Sequence, residues 1–230
     1  MEYMLLIMSR RGEAPRESVD MAEMGKYAAA LGAKLRGGAP LLAEEQGVRV
    51  RVRNGQTETT DGPFAESKEV IGGYFMLDAP SAAEALELAK RCPAARSGFV
   101  QLHAASVDHR SDPASEGKRY LFLFLMDRAY EEDPEEAKFH AMDRWILSLE
   151  AQKRHVQCAR LSDDGKRIEL RGGAAQVLDG PFAESKEVVG GYSILLARSR
   201  DEAVALARGC PHATWGIVEV REVMDVPGPR

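Results

Sequence analysis

The sequence predicts an α+β protein made of two similar halves of about 105 residues each. The first observation is an internal repeat: residues 61–74 return as 179–192, an offset of 118, with 13 of 14 positions identical. The second is that each half alternates short apolar runs, typical of strands, with two stretches of helical periodicity. Flanking segments match less well, at 4 of 14 positions before the repeat and 12 of 28 after it. The contrast predicts a structural or functional constraint on the repeated segment.

The first half opens with a short apolar run at residues 3–8, which predicts a buried strand. Apolar residues at spacings of three and four then predict an amphipathic helix that continues to Arg36 and ends at Gly37-Gly38. Residues 41–44 can form a second, short strand. Alternating valine and arginine at 48–53, followed by Asn54-Gly55, predict a β-hairpin whose return strand is 56–60.

After the repeated segment, the first half closes with a strand, a helix and a strand. The strands are predicted at residues 72–78 and 98–102. Ser81 and Glu84 form a capping box at the start of the helix, because each side chain can bond a free amide of the first turn. The helix is predicted to run to about Arg91, since Pro93 cannot continue it.

The second half repeats this order. Strands are predicted at residues 120–126, 155–161, 191–196 and 216–221, a hairpin between 163 and 178, and helices at 134–151 and after the capping box of Ser199 and Glu202. The order of elements in each half therefore predicts a ferredoxin-like unit, with both helices on one face of an antiparallel sheet. Because the other sheet face still needs cover, we expect the halves to pack as an intramolecular pseudo-dimer.

These elements place one unit at residues 1–105, a polar linker at 106–117, the second unit at 118–223 and a flexible tail at 224–230. The composition, with 44% hydrophobic and 29% charged residues, is typical of a soluble globular protein. A net charge of −5 predicts no nucleic-acid partner. The longest apolar run near the start, Met4–Met8, is too short for a signal peptide or a membrane span, so we expect a cytoplasmic protein without a membrane partner.

Neither the cysteines nor the histidines show metal-ligand spacing. Cys92 and Cys210 occupy matching positions and Cys158 has no counterpart, which argues against a disulfide framework and favours buried thiols. The five histidines do not match between the halves. The sequence therefore predicts no metal and no cofactor, although His140 and His155 could converge with a carboxylate in the second half.

Both halves carry Asp-Gly-Pro-Phe, a charged segment and Gly-Gly-Tyr, with Cys-Pro after the second helix. This pattern resembles the YCII-related family, and specifically its DGPF-domain branch. Members of that family form dimeric α+β barrels, so the resemblance implies that one polypeptide carries the pair. Most of the branch has no assigned activity. Some members are encoded beside extracytoplasmic-function sigma factors, which leaves a sigma-factor link open as a partner.

Better-understood relatives use a histidine on the first helix, paired with an aspartate, and one eliminates halide from a chlorinated hydroquinone. The resemblance places that histidine at Tyr27, and at Trp145 in the second half. Tyrosine, with an ordinary pKa of about 10, is a poor base, and tryptophan cannot accept a proton. We therefore expect the family's His-Asp chemistry to be absent.

The repeated loop supplies further candidates for ligand binding. A lysine between two carboxylates could bind an anionic or zwitterionic molecule at the mouth between the sheets. Alternatively, Asp-Gly-Pro forms a tight turn, the phenylalanines fill the core, and the charges face solvent. With the helix positions, the candidate residues are Tyr27, Asp61, Phe64, Glu66, Lys68, Tyr74, Trp145, Asp179, Phe182 and Lys186.

Three functions remain open: a small-molecule-binding or sensing protein, a lyase or hydrolase using Asp, Lys and Tyr in the inter-sheet cleft, and an interaction partner of a sigma factor. Convergence of Tyr27, Asp61 and Lys68 in a cavity would favour binding or chemistry, and an exposed apolar patch would favour interaction. Because Trp145 adds apolar volume where Tyr27 offers a phenol, we expect the N-terminal half to hold the more open and polar site. Self-association beyond the internal pair is also left open.

Overall fold

The structure, a computed structural model, describes residues 1–111, 116–127, 136–180, 182 and 187–225. The first half contains strands β1 (Glu2–Arg10), β2 (Leu35–Pro40), β3 (Val48–Arg53), β4 (Gln56–Asp61), β5 (Glu69–Asp78) and β6 (Phe99–Arg110), and helices α1 (Met21–Leu31), α2 (Ala82–Ala89) and α3 (Ala94–Ser97). The second half contains β7 (Lys118–Asp127), β8 (His155–Leu161), β9 (Lys166–Arg171), β10 (Ala174–Asp179), β11 (Glu187–Ala197) and β12 (Ile217–Glu222), and helices α4 (Glu136–Ala151) and α5 (Arg200–Arg208).

The strands form one large antiparallel sheet, and eight of them close into a ring. These eight follow the order β2-β5-β1-β6-β8-β11-β7-β12. The last strand meets the first, because Leu41, just after β2, forms a β-bridge with Val223, just after β12. The N–H of Leu42 also donates to the carbonyl of Glu222 at 3.0 Å. The sheets of the two halves are therefore joined at both edges.

The interior of the ring is an apolar core to which both halves contribute. Side chains alternate along a strand, so every second residue of β1 and of β7 points inward. The buried cluster accordingly contains Met4, Leu6 and Met8 of β1, Leu121, Leu123 and Leu125 of β7, and the repeat tyrosines Tyr74 and Tyr192. The opposite sheet face lies outside the ring, where the helices cover it.

Two separate clusters lie between the helices and the outer sheet face. In the first half, Tyr27 and Leu31 of α1 pack with Tyr3 and Leu5 of β1. In the second half, residues of α4 and α5 pack with the outward side chains of β7; the cluster includes Leu149, Ala203, Phe122 and Phe124. The layers are thus helix, sheet, shared core, sheet and helix.

Each hairpin crosses to the other half. Strand β3 of the first half pairs with β12, aligning Val50 with Val218. Strand β9 of the second half pairs with β6, aligning Ile168 with Val100. The predicted hairpins exist, but the sequence did not indicate this exchange. Alternating side chains specify which face of a strand is covered, and they do not specify the sheet edge to which it pairs.

Element ends differ from prediction in three places. Helix α1 ends at Leu31 rather than Arg36, because Gly32 adopts φ 53°, and the following residues form β2 in place of the predicted strand at 41–44. Strand β6 continues to Arg110, through the start of the predicted linker. The predicted flexible tail is attached at Met224, whose N–H donates to the carbonyl of Pro40 at 2.9 Å.

The serine caps of the two predicted capping boxes are confirmed, whereas the carboxylate of Glu202 accepts from the N–H of Arg198, one residue before the cap, at 2.6 Å. Ser81 accepts a hydrogen bond from the N–H of Glu84 at the start of α2, at 3.2 Å. Ser199 accepts one from the N–H of Glu202 at the start of α5, also at 3.2 Å. These local signals determined the helix starts correctly because they depend on residues three positions apart.

Candidate functional site

Each copy of the repeated segment lies at a contact between one half and the hairpin that crosses from the other half. Arg49 of β3 donates to Glu219 of β12 at 2.8 Å and to Glu187 of β11 at 2.9 Å. Its guanidinium lies over the ring of Phe64, 4.2 Å from the ring centroid. Ser67 donates from Oγ to Glu187 at 2.8 Å. The first copy of the segment therefore supports a buried arginine whose two nearest carboxylate partners come from the second half.

The second copy makes a corresponding contact. Arg167 of β9, which matches Arg49 in the repeat, donates to Glu69 at 2.7 Å. Its guanidinium lies 4.6 Å from the ring centroid of Phe182 and 4.4 Å from that of Phe99. In both copies the glutamate binds the arginine of the other half, and the phenylalanine lies against the arginine of its own half. This reciprocal contact gives a structural reason for the near-identity of the two segments.

The arginine cluster leaves little room for a ligand. Burial would lower the pKa of Arg49, but Glu219 and Glu187 raise it above its ordinary value. The cavity beside it, lined also by Glu44 and Lys68, has a volume of about 50 Å3, the space of a few water molecules. Glu69 and Glu187 are bound across the halves, so these two carboxylates are not part of a solvated face.

The sequence led us to expect that Tyr27 and Trp145 face a cleft between the sheets. In the structure neither residue does. Tyr27 lies on the buried face of α1, where its hydroxyl donates to the carbonyl of Leu88 at 3.1 Å and its ring meets Phe75 edge-on. Burial raises its pKa above the ordinary value. Trp145 packs beside Phe122, with ring centroids 6.4 Å apart, in the helix layer of the second half.

The other sequence candidates are also dispersed. Phe64 and Glu66 both reach Arg49, whereas Tyr74 is buried inside the ring, where burial raises its pKa to about 12. The exposed carboxylates Asp61 and Asp179 bind Arg200 and Lys166. The side chain of Lys68 is exposed, Phe182 lies against Arg167, and Lys186 falls outside the described residues. Tyr27, Asp61 and Lys68 thus occupy three different places and form no common cavity.

A much larger groove lies between α4 and the outer face of the second-half sheet, with a volume of about 600 Å3. Its apolar walls include Phe124, Phe139, Met142, Ile146 and Trp215. Its polar residues include His109, Asp143, Arg160, Asp163 and His212. The sequence did not reveal this groove, because it is assembled from segments that lie far apart in the chain.

One end of this α4 groove is a packed aromatic group. The ring of His212 lies 5.2 Å from Phe124 and 5.3 Å from Trp215, measured between centroids. Burial lowers the pKa of His212 to about 4, so its imidazole is neutral near pH 7. Its Nε2 lies 3.1 Å from the carbonyl oxygen of Leu125, which assigns the ring proton to that nitrogen. The His212 end is therefore aromatic, with the ammonium of Lys138 5.8 Å from the ring centroid of Trp215.

The expected asymmetry between the halves is reversed in the structure. We expected the more open site in the N-terminal half, whereas the 600 Å3 groove lies in the C-terminal half. Trp145 packs to one side against Phe122 and does not fill the space in front of Met142 and Ile146. Helix α4 has 16 residues and α1 has 11, so the second-half helix extends farther across its sheet.

The three cysteines are buried and form no disulfide bond, as predicted, and burial raises the pKa of Cys92 and of Cys210 to about 12. Within the described part of the chain, no group of three or more His, Cys, Asp or Glu residues is arranged to hold a metal ion. In that same part, no helix has the length and apolarity needed to cross a membrane.

His155 does meet a carboxylate, although its neighbour is not His140. His155 lies 3.5 Å from Glu150, and His109 of the first half lies 3.3 Å from the same carboxylate. His140 is exposed on α4, 3.9 Å from Glu136. The convergence in the second half was anticipated, but its second histidine comes from β6.

Glu169 of β9 provides a test of the contacts between the halves through pH. Burial opposes its ionisation, but hydrogen bonds from Arg10 and Arg171, together with the charge of Arg16, lower its pKa to about 2 from an ordinary 4.5. A lowered pKa in the folded state stabilises the fold above pH 4.5, and this stabilisation is lost as the pH falls towards 2.

Glu169→Gln should therefore lower the free energy of unfolding at pH 7 by about 1–2 kcal/mol. The difference from the wild type should shrink between pH 4.5 and pH 2, as measured by urea unfolding. Glu58→Gln, in an exposed pair with Arg51, is the control and should show little change at any pH. A difference in the free energy of unfolding between Glu169→Gln and the wild type that stays constant down to pH 2 would contradict this role of Glu169.

Comparison with known proteins identifies a family. A family model described as the YCII-related domain matches residues 1–104 and again residues 120–227. The two matches agree with a tandem duplication. A search of curated proteins found no significant match. A crystal structure whose title provisionally describes a chlorite dismutase is similar at a TM-score of 0.44 and 6% identity, over 97% of this chain and 95% of that chain.

Proposed function

The chain belongs to the YCII-related family through both of its halves, and we propose that it binds a small organic molecule in the α4 groove. The observation that carries the proposal is the size and lining of the groove. A volume of about 600 Å3 lies within the usual range for sites of small molecules. The arginine cluster, with about 50 Å3, has no comparable space.

The chemistry of the groove favours a ligand with an apolar body and a polar end. Phe124, Trp215 and Ile146 offer apolar contact area, and burial of such area drives binding. Arg160 offers a cation for an anionic group, and its guanidinium lies 6.0 Å from the ring centroid of Phe139. Convergent polar groups on an apolar wall fix the orientation of a bound molecule.

We further infer that the closed ring is a pseudo-dimer of two ferredoxin-like units, residues 1–105 and 118–223. One support is the matched order of elements in the two halves. Another is that the two halves meet in the same way at both edges: β6 pairs with β8, and the corresponding strands β12 and β2 meet at their ends. Fusing the units in one chain allows them to differ. One half can then carry the groove while the other retains a packed helix layer.

Binding can be tested with 1-anilinonaphthalene-8-sulfonate, an aromatic sulfonate whose fluorescence rises in apolar sites. We expect the wild type to bind this probe and Met142→Trp to bind it at least about tenfold more weakly, because the larger ring occupies the groove. Leu147→Trp is the matched control, since Leu147 lies on the same helix and is exposed. It should bind like the wild type.

Equal binding by the two tryptophan variants would contradict the proposal, provided that both unfold at the wild-type urea concentration. Natural ligands can be sought by a thermal-shift screen of metabolites, because a ligand that binds only the folded state raises its apparent stability. A genuine ligand of the α4 groove should shift the melting temperature of Leu147→Trp but not that of Met142→Trp.

A further inference from the structure

The wall of the α4 groove contains a histidine that is not at either helix position implied by the family resemblance. His109 belongs to β6, the last strand of the first half, and its side chain is 30% exposed. Its Nδ1 lies 3.3 Å from Oε1 of Glu150, close to the C-terminal end of α4. The groove and this pair thus combine residues from both halves.

Three polar side chains lie around the same oxygen of Glu150, and one of them donates a hydrogen bond to it. Ser111 donates from Oγ to Oε1 at 3.1 Å, and Nδ1 of His155 lies 3.5 Å away. His155 is fully buried, and burial lowers its pKa to about 4, so it is neutral near pH 7. His109 is therefore the ring beside Glu150 that also lines the groove.

This arrangement determines which nitrogen of His109 carries the proton. A carboxylate beside one ring nitrogen favours the tautomer with the proton on that nitrogen, and the other nitrogen then holds the lone pair. Contacts of this kind are often long before a ligand binds and shorten in the complex. For His109 the proton belongs on Nδ1, facing Glu150, and Nε2 is left as the acceptor.

We propose that His109 presents an unprotonated Nε2 to the α4 groove as a proton acceptor, with Glu150 as its positioning residue. The proposal rests on the groove being a binding site. The ligands it selects are weak acids with an O–H or N–H group. On transfer, the ligand's O–H or N–H bond breaks, its electron pair stays on the ligand atom, and the proton joins Nε2. The resulting imidazolium keeps its Nδ1–H towards Glu150, and the step is reversible.

Long-range 1H–15N NMR tests the tautomer in the free protein. In the wild type, Nδ1 of His109 should carry the proton. Glu150→Leu removes the acceptor and should shift the ring towards the Nε2–H tautomer, whereas Glu150→Gln retains an oxygen acceptor and should keep the Nδ1–H tautomer. A wild-type ring protonated on Nε2, or a tautomer unaffected by Glu150→Leu, would overturn the proposal.

Diethyl pyrocarbonate, which acylates unprotonated imidazole nitrogen, tests whether Nε2 faces the groove. Acylation of His109, followed by peptide mass spectrometry, should slow about tenfold in Glu150→Leu. It should also slow in Met142→Trp and in wild type saturated with the anilinonaphthalene probe. Exposed His140 is the internal control and should react at an unchanged rate. A His109 rate unaffected by either Glu150→Leu or Met142→Trp would overturn the proposal.

The two proposals fail in different ways. If Glu150→Leu changes neither the tautomer nor the acylation rate of His109 while the probe still binds in the α4 groove, only the role of His109 is refuted. Failure of the probe to bind, or binding that Met142→Trp leaves intact, would refute the groove and with it this inference. Urea unfolding of each variant shows whether a lost signal reflects a lost fold.

Discussion

Replacing Arg49 with methionine is expected to destabilise the protein by about 3–5 kcal/mol. The variant would leave Glu219, 5% exposed, and Glu187, 16% exposed, without the cation that both bind in the folded state. Removing one partner of a buried ion pair costs more than the pair itself contributes, because the remaining charge is desolvated without compensation. The measurement is the urea midpoint, with the slope of the transition checked for constancy.

Arg51→Met is the matched control for Arg49→Met. Arg51 lies on the same strand and pairs with Glu58 at 2.9 Å, but both side chains are exposed, so the expected cost is about 0–1 kcal/mol. Adding Glu187→Gln to Arg49→Met should recover part of the loss, because Glu187 is then no longer a half-buried charge without its cation, while Glu219 keeps its contact with buried Arg221 at 3.2 Å. Equal destabilisation by Arg49→Met and Arg51→Met would contradict the assigned role.

Phe64→Ala is expected to have a similarly large effect, about 3–5 kcal/mol. The ring is 1% exposed and lies beneath the guanidinium of Arg49, so its removal leaves a cavity and uncovers the ion cluster. The backbone N–H of Phe64 donates to Glu44 at 3.1 Å, which limits how far the loop can collapse into the space. Thermal and urea unfolding measure the loss.

Phe139→Ala is the control for Phe64→Ala. Phe139 is 41% exposed, and its truncation should cost less than about 1 kcal/mol while weakening binding in the α4 groove. A double-mutant cycle between Phe64→Ala and Arg49→Met should show a coupling of about 1 kcal/mol. Additive effects would mean that the ring and the guanidinium act independently.

Local sequence signals predicted much of the fold. The repeat predicted a tandem duplication, which the two matches of the family model support, and the serines at 81 and 199 located two helix starts. Asn54-Gly55 marked the first hairpin, where both residues adopt positive φ. The exchange of hairpins was missed because pairing of β3 with β12 joins residues about 170 positions apart, as Arg49 and Glu219 illustrate. No local pattern encodes that choice of edge.

The site was less predictable than the fold. The family resemblance led us to expect Tyr27 in a cleft, but Tyr27 lies on the buried face of α1, which ends at Leu31. The alternating charges of the repeat gave no sign that Glu69 and Glu187 bind arginines of the opposite halves. Arginine matches between the hairpins at 49 and 167, but it also matches at 53 and 171, where both side chains are exposed, so the match alone did not indicate the buried pairs.

The α4 groove could not be inferred from spacing at all. His109 of β6, Ile146 of α4 and Trp215 near β12 meet only after the ring has closed. His155 was singled out for its proximity to α4, and it does approach Glu150. The partner that faces the groove, His109, lies in a segment that the sequence indicated as linker. The polar end of a strand and a linker have similar composition, so the two could not be distinguished.

The most direct test of the central claim is a crystal structure of the protein with 1-anilinonaphthalene-8-sulfonate bound. We expect the naphthalene ring in the α4 groove, in contact with Ile146 and Trp215, with the sulfonate towards Arg160. Probe bound beside Lys68 and the arginine cluster, with the α4 groove unoccupied, would contradict it.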